Sequence, residues 1–145
     1  MRLGYNTNGL TGHRWDQALE LMHEIGYRSV AITVDHHCLN PYSPRLPEEI
    51  SRMQRLLERF EMTSVIETGA RFLLDPRAKH EPTLVSRTAE GRVVRIEFLK
   101  RCIDIALALG SDAVSLPGWK AFPCMSERCP PAEPPIIPIR SGSTP

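Results

Sequence analysis

Apolar positions along the first 116 residues alternate between helical spacing, a period of about 3.6, and short runs that are nearly continuously apolar. Arg2 to Asn6 reads as a short extended segment, with a loop at Asn8, Gly9, Thr11 and Gly12. From Trp15 the residues Trp15, Ala18, Leu19, Met22 and Ile25 fall on one helix face, and Gly26 follows where a left-handed carboxyl cap is expected. Ser29 to Val34 is a β-branched run without alternation, the pattern of a parallel strand covered on both faces. The cycle then repeats. After a loop from Asp35 to Arg45, Pro47 opens a second helix where its missing N–H costs no hydrogen bond, and Ile50, Met53, Leu56, Leu57 and Phe60 supply the buried face. Thr63 to Glu67 gives a third strand. A loop of about twenty residues, Thr68 to Glu90, has the length of lids and binding segments. A third helix runs from about Arg92 to Leu109 and ends at Gly110. Its expected stripe is Val93, Ile96, Leu99, Cys102, Ile103, Ala106 and Leu109, and Ala113 to Leu116 makes a fourth strand.

Strand and helix in strict alternation imply a parallel α/β sheet with right-handed crossovers. The expected architecture over residues 1–116 is three βα units plus a fourth parallel strand, half of a (β/α)8 TIM barrel; periodicity alone does not separate a closing barrel from an open sheet. After Leu116 the pattern stops. Residues 117–145 hold 8 of the 13 prolines, and Pro130-Pro131 and Pro134-Pro135 exclude a helix, leaving Ile136-Ile137 as the one short apolar patch. Three readings of this irregular tail stay open. It is a polyproline ligand for a small adaptor domain, a disordered segment with no role, or sequence that is not native coding, since it begins where the fourth strand should deliver its active-site loop.

The charge is nearly balanced, 18 Lys and Arg against 17 Asp and Glu, so no basic field points to nucleic acid or to an anionic membrane. No apolar run reaches the roughly 18 residues of a membrane span. The opening Met1-Arg2-Leu3-Gly4-Tyr5 lacks the pattern of a secretory signal, and a cytoplasmic protein is expected. Cysteine usage agrees with a reducing compartment. Cys102 sits in an apolar helical stretch, Cys38 follows a His pair, and Cys124 and Cys129 are spaced more widely than a zinc knuckle requires.

In a parallel α/β sheet, reactive groups gather at the carboxyl ends of the strands. Those places hold Asn6-Thr7-Asn8, Asp35-His36-His37 and Glu67-Thr68-Gly69-Ala70-Arg71. On an extended segment His36 and His37 point to opposite sides, so at most one faces the mouth; the pair is either solvated or supplies a ligand or substrate contact, with Asp35 and Glu67 as neighbours. Glu67, a carboxylate ending an apolar strand, is either a salt-bridge partner of Arg71 or Lys79, or a catalytic base or metal ligand. Arg71, Arg77 and Lys79 in the long loop suit an anionic group such as a sugar phosphate or carboxylate; alternatively, with Asp75 and Glu81, they keep a surface excursion soluble.

The segment Leu3-Gly4-Tyr5-Asn6-Thr7-Asn8, the helix from Trp15 to Gly26, and Tyr27-Arg28-Ser29-Val30-Ala31-Ile32 resemble the start of the xylose isomerase-like TIM-barrel superfamily. The helix ending at Gly110 and Asp112-Ala113-Val114-Ser115 resemble its third helix and fourth strand. That superfamily includes sugar and sugar-phosphate isomerases and epimerases and the endonuclease IV type of repair enzyme. The resemblance implies metal-assisted proton transfer next to a carbonyl, using Mn2+, Mg2+ or Zn2+, on a small sugar or sugar phosphate. It also implies that the principal metal ligands come from the second half of the barrel, so this chain alone is expected to be inactive and to hold no metal. The repair branch places histidines at the ends of strands three and four, where Glu67-Thr68 and Leu116-Pro117 stand here, and no nucleic acid partner is expected. The candidate site is therefore Glu67 and His37 for chemistry, with Asn6, His36 and Arg71 for substrate. Open strand edges make self-association an expectation, and a non-catalytic α/β module with a partner-binding tail is the alternative.

Overall fold

The computed structural model describes residues 3–116. Met1 and Arg2, and the Pro-rich segment 117–145 with Cys124, Cys129 and Ile136-Ile137, lie outside the described residues. Four strands and three helices alternate along the chain: β1 (Gly4–Asn6), α1 (Trp15–Ile25), β2 (Ser29–Thr33), α2 (Leu46–Arg59), β3 (Thr63–Glu67), α3 (Ala89–Leu109) and β4 (Ala113–Ser115), with a 3-10 turn at Thr7–Leu10. Every strand pair is parallel, and the order across the sheet, β1-β2-β3-β4, is the order in the chain. The fold is α/β, built from successive βα repeats.

Local chemistry sets the helix ends. Gly26 and Gly110 close α1 and α3 with φ of 106° and 62°, the left-handed region where a side chain would be strained. Pro47 lies in the first turn of α2 with Glu48 and Glu49, whose charges favour the positive end of the helix. Thr88 caps α3 by accepting the Gly91 amide at 3.1 Å.

Sequential order with right-handed crossovers puts all three helices on one face of the sheet. On that face Val30, Ile32 and Ile66 are fully buried against Leu19 and Met22 of α1, Met53 and Leu57 of α2, and Phe98, Cys102 and Ile105 of α3. The other face is different in kind. Its residues share pleats in the register: Asn6, Ala31, Val65 and Ala113 in one row, and Thr33, Glu67 and Ser115 in the row nearest the carboxyl edge. These are small or polar, and most are half-buried or exposed.

The buried face of α3 differs from the stripe expected from sequence. Arg95, Phe98, Cys102, Ile105 and Ala106 point inward, while Val93, Ile96 and Ile103 are 56%, 42% and 47% exposed. This helix carries apolar residues on two sides, so periodicity alone fits two phases, and the polar Arg95 inside the true face disguised it. Ile25 in α1 is likewise exposed. The inward face predicts the energetics: Phe98→Ala should cost about 3–5 kcal/mol in urea unfolding, and Ile103→Ala under about 1 kcal/mol. Equal costs would restore the phase read from sequence.

Candidate functional site

A cavity of about 90 Å3 opens at the carboxyl ends of β1 and β2. Thr7, Asn8, Thr33, Asp35, His37 and Arg71 supply its polar wall, with Trp15 and Cys38 among its apolar lining. A line of polar contacts crosses three strand ends beside it. Thr7 Oγ1 accepts from the Thr33 amide at 3.0 Å, and Thr33 Oγ1 donates to Glu67 Oε2 at 2.6 Å. Glu67 is half-buried in the row that faces away from the helices. Neither Arg71 nor Lys79 pairs with it; the ion pairs among the described residues are Arg14–Asp16, Arg52–Asp16 and Lys100–Glu97. Arg71 instead donates to Asn8 Oδ1, and both residues line the cavity. Its bond ties the long β3–α3 loop to the β1 end.

The remaining candidates have distinct placements. Asn6 Oδ1 accepts from the Gly9 amide at 2.8 Å and so caps the 3-10 turn. His36 and His37 are not on an extended segment. They form the tip of a tight turn closed by reciprocal backbone bonds between Asp35 and Cys38, at 3.0 and 3.2 Å. The Asp35 carboxylate accepts the His36 amide at 2.7 Å, and the two rings stand 6.5 Å apart; both histidines are exposed, and of the two His37 lines the cavity. In the long loop, His80 Nδ1 donates to the Gly69 carbonyl at 2.7 Å and the His80 amide donates to the Arg71 carbonyl.

Two supports lie behind this mouth. Thr68 is tied to β4, both its amide and its Oγ1 donating to the Ser115 carbonyl at 3.2 and 3.0 Å, while its own carbonyl accepts from Arg95 Nη2 at 2.7 Å. On the other side Trp15 is held by the Arg52 guanidinium 5.3 Å from its ring centroid, and Arg52 and Arg14 both pair with Asp16. Burial pushes the Asp16 carboxyl up, but the Arg14 hydrogen bond, the Arg52 charge and the Gln17 amide together outweigh it and hold the group below its ordinary value.

Sequence reasoning did not single out Thr33, His13 or Trp15 as parts of the cavity, nor Arg95 as a buried support. A signal existed for Thr33, a hydroxyl at the carboxyl end of an otherwise apolar strand; Trp15 and Arg95 follow helix patterns whose other reading is core and surface. Among the described residues no group of three or more His, Cys, Asp or Glu side chains is placed to hold a metal. Among them too, no helix is long and apolar enough to cross a membrane. These features define the class: a parallel α/β protein with its polar groups gathered at the carboxyl edge of the sheet. No protein-family model matches the chain, and no curated protein matches it.

Two outcomes follow from these environments. Burial pushes the Cys38 and Cys102 thiols up to about 12, Cys38 further helped by Glu49 and Asp35. Neither should therefore react with a disulfide reagent at about pH 8 until the chain is unfolded, and rapid labelling of either in native protein would contradict their packing. Asp16 is the opposite case. Its folded carboxyl is depressed, so its stabilisation is present above the unfolded value of about 4 and is lost as pH falls through the lower folded value. Between about pH 7 and pH 3, the urea midpoint of Asp16→Asn should fall less than that of the parent chain; identical falls would show that the Arg14 and Arg52 contacts contribute nothing.

Proposed function

We propose that this chain forms one half of the mouth of a sugar isomerase- or epimerase-like barrel, with Glu67 as the proton-transferring carboxylate. The observation that carries the reading is the placement of Glu67: half-buried, on the face free of helices, bonded by the Thr33 hydroxyl, and without a cationic partner. A carboxylate engaged in a structural ion pair has its lone pairs committed to the cation. Glu67 Oε1 makes no protein hydrogen bond among the described residues and is free to accept a proton from carbon next to a carbonyl.

The neighbours fit a small hydroxylated substrate. Thr33 fixes the orientation of the Glu67 carboxylate, and Arg71 offers a guanidinium to an anionic group at the cavity wall. His37 and Asp35 line the same cavity, where they would contact a hydroxyl or carbonyl oxygen. His36 and Asn6 would contribute at the rim, Asn6 by holding the turn that carries Thr7. The superfamily resemblance implies a divalent metal that polarises the carbonyl oxygen. The described residues do not assemble its ligands, so the roles given to this chain are binding, orientation and holding the proton.

The reading is tested by titrating the chain with D-fructose 6-phosphate and following its amide resonances. Saturable shifts should centre on Thr33, His37, Glu67 and Arg71, and Arg71→Ala should weaken the binding by about tenfold, or about 1.4 kcal/mol. Inorganic phosphate alone should perturb Arg71 but not Glu67. An absence of shifts, or shifts confined to other surfaces, would overturn the assignment.

A further inference from the structure

The apolar residues of α3 that do not cover the sheet form a surface of their own. Ile96, Ile103 and Leu107 are 42%, 47% and 75% exposed, and spacings of seven and four residues return them to one helix face. The buried side of the helix, Phe98, Cys102 and Ile105, lies elsewhere, and Gln54 of α2 donates to the Ala108 carbonyl on a different flank. Half-buried Leu99 borders the seam toward the core. Lys100 and Asp104, both exposed, border it toward solvent.

Two relations coincide along this seam. Ile96 and Leu107 stand at its ends with Ile103 between them, and Lys100 and Asp104, of opposite charge, stand one turn apart. Along the helix, the midpoint of Ile96 and Leu107 falls about half a residue from the midpoint of Lys100 and Asp104. A twofold axis across α3 at that level brings Ile96 against Leu107 of a second copy and sets the two Ile103 side chains side by side. It also places Lys100 against Asp104 of the second copy, twice. A parallel pairing of the same faces would oppose Lys100 to Lys100 and Asp104 to Asp104. Within the chain Lys100 pairs with exposed Glu97 on its own helix, and Asp104 makes no ion pair among the described residues.

We infer that this seam is the surface on which two copies of the chain associate, α3 against α3 and antiparallel. The contact is isologous, the same patch on both sides, which is why its apolar ends and its charges share one centre. A surface fitted to an unrelated partner needs no such relation between its own ends. From Ile96 to Leu107 the seam is about 17 Å long. One helix pair of that length buries less than the roughly 800 Å2 per partner of a standard interface, so the dimer is weak and forms at high concentration. No residue lining the cavity lies on α3, so both mouths stay open, and the inference stands apart from the chemistry proposed for Glu67.

Sedimentation equilibrium of the full chain in low salt, from about 10 μM to about 1 mM, should show monomer and dimer with a dissociation constant of about 100 μM. Ile103→Glu should stay monomeric throughout, with a urea midpoint at about 10 μM equal to the parent's because the residue is exposed. Lys100→Glu and Asp104→Lys should each weaken self-association by about tenfold. The double variant carrying both changes should self-associate as the parent does, because an antiparallel pair restores both charge contacts. A parent chain monomeric at about 1 mM, the result expected if residues 117–145 occupy the seam instead, would overturn the inference. So would a dimeric Ile103→Glu, a Lys100→Glu that associates as the parent does, or a double variant that fails to recover.

Discussion

The structure depends on one constraint: four parallel strands laid side by side in chain order. Parallel neighbours need a crossover, crossovers share one hand, and sequential order then sends every helix to the same side. That single outcome divides the sheet into two chemically different faces. Val30, Ile32 and Ile66 point into the helices and are sealed, while Ala31, Val65 and Glu67 point the other way. A doubly wound sheet reverses its order and covers both faces. Here only the second face and its carboxyl edge remain free for chemistry, and there the polar residues lie.

At that edge the strands are joined by side chains as well as by their backbone ladder. Thr7 receives the Thr33 amide, Thr33 donates to Glu67, and Thr68 donates twice to Ser115, so hydroxyls link β1 to β2, β2 to β3 and β3 to β4. Threonine suits this use because its branched side chain fits a strand while its hydroxyl both donates and accepts. Such links give direction at modest net energy, roughly 0.5–1.5 kcal/mol each. Their effect is to fix where Glu67 points. Arg95 adds to this from below, and its burial without a carboxylate makes it poor evidence for stability and better evidence for a positional role.

Much of the fold was legible in the sequence because strand and helix periods differ so sharply. The bounds of β3, Thr63–Glu67, and the glycine ends of α1 and α3 could be read directly. What failed did so for physical reasons. The His36-His37 pair looked extended because it follows a strand, but the reciprocal Asp35–Cys38 bonds turn the chain there, and no glycine or proline announces that turn. The α3 face was misread because its second apolar side competes with the first. For the candidate site, the strand ends that bear Glu67, His37 and Arg71 were legible from position alone, whereas partners were not. Arg71 chooses Asn8 over Glu67 through a contact spanning 63 positions in sequence, which no local pattern encodes.

That second side of α3 has an orientation that the contacts of the helix fix. Gln54 of α2 donates to the Ala108 carbonyl and Arg101 donates to the Pro41 carbonyl, so residues 101 and 108 mark the flank of α3 turned toward α2. At 100° per residue, Ile96, Ile103 and Leu107 fall within about 40° of one another on the side of α3 turned from both the sheet and α2, and Val93 lies beyond them toward solvent. Their spacing of three, seven and four residues is that of a helix-packing seam, and all four are exposed. In a βα repeat a helix packs against its neighbours in chain order, and among the described residues α3 packs against α2. Solvent alone does not select such a seam, since exposed helix faces are ordinarily charged. The helix layer thus carries an apolar surface beyond the one that covers the sheet, from residues that take no part in the strand pairing.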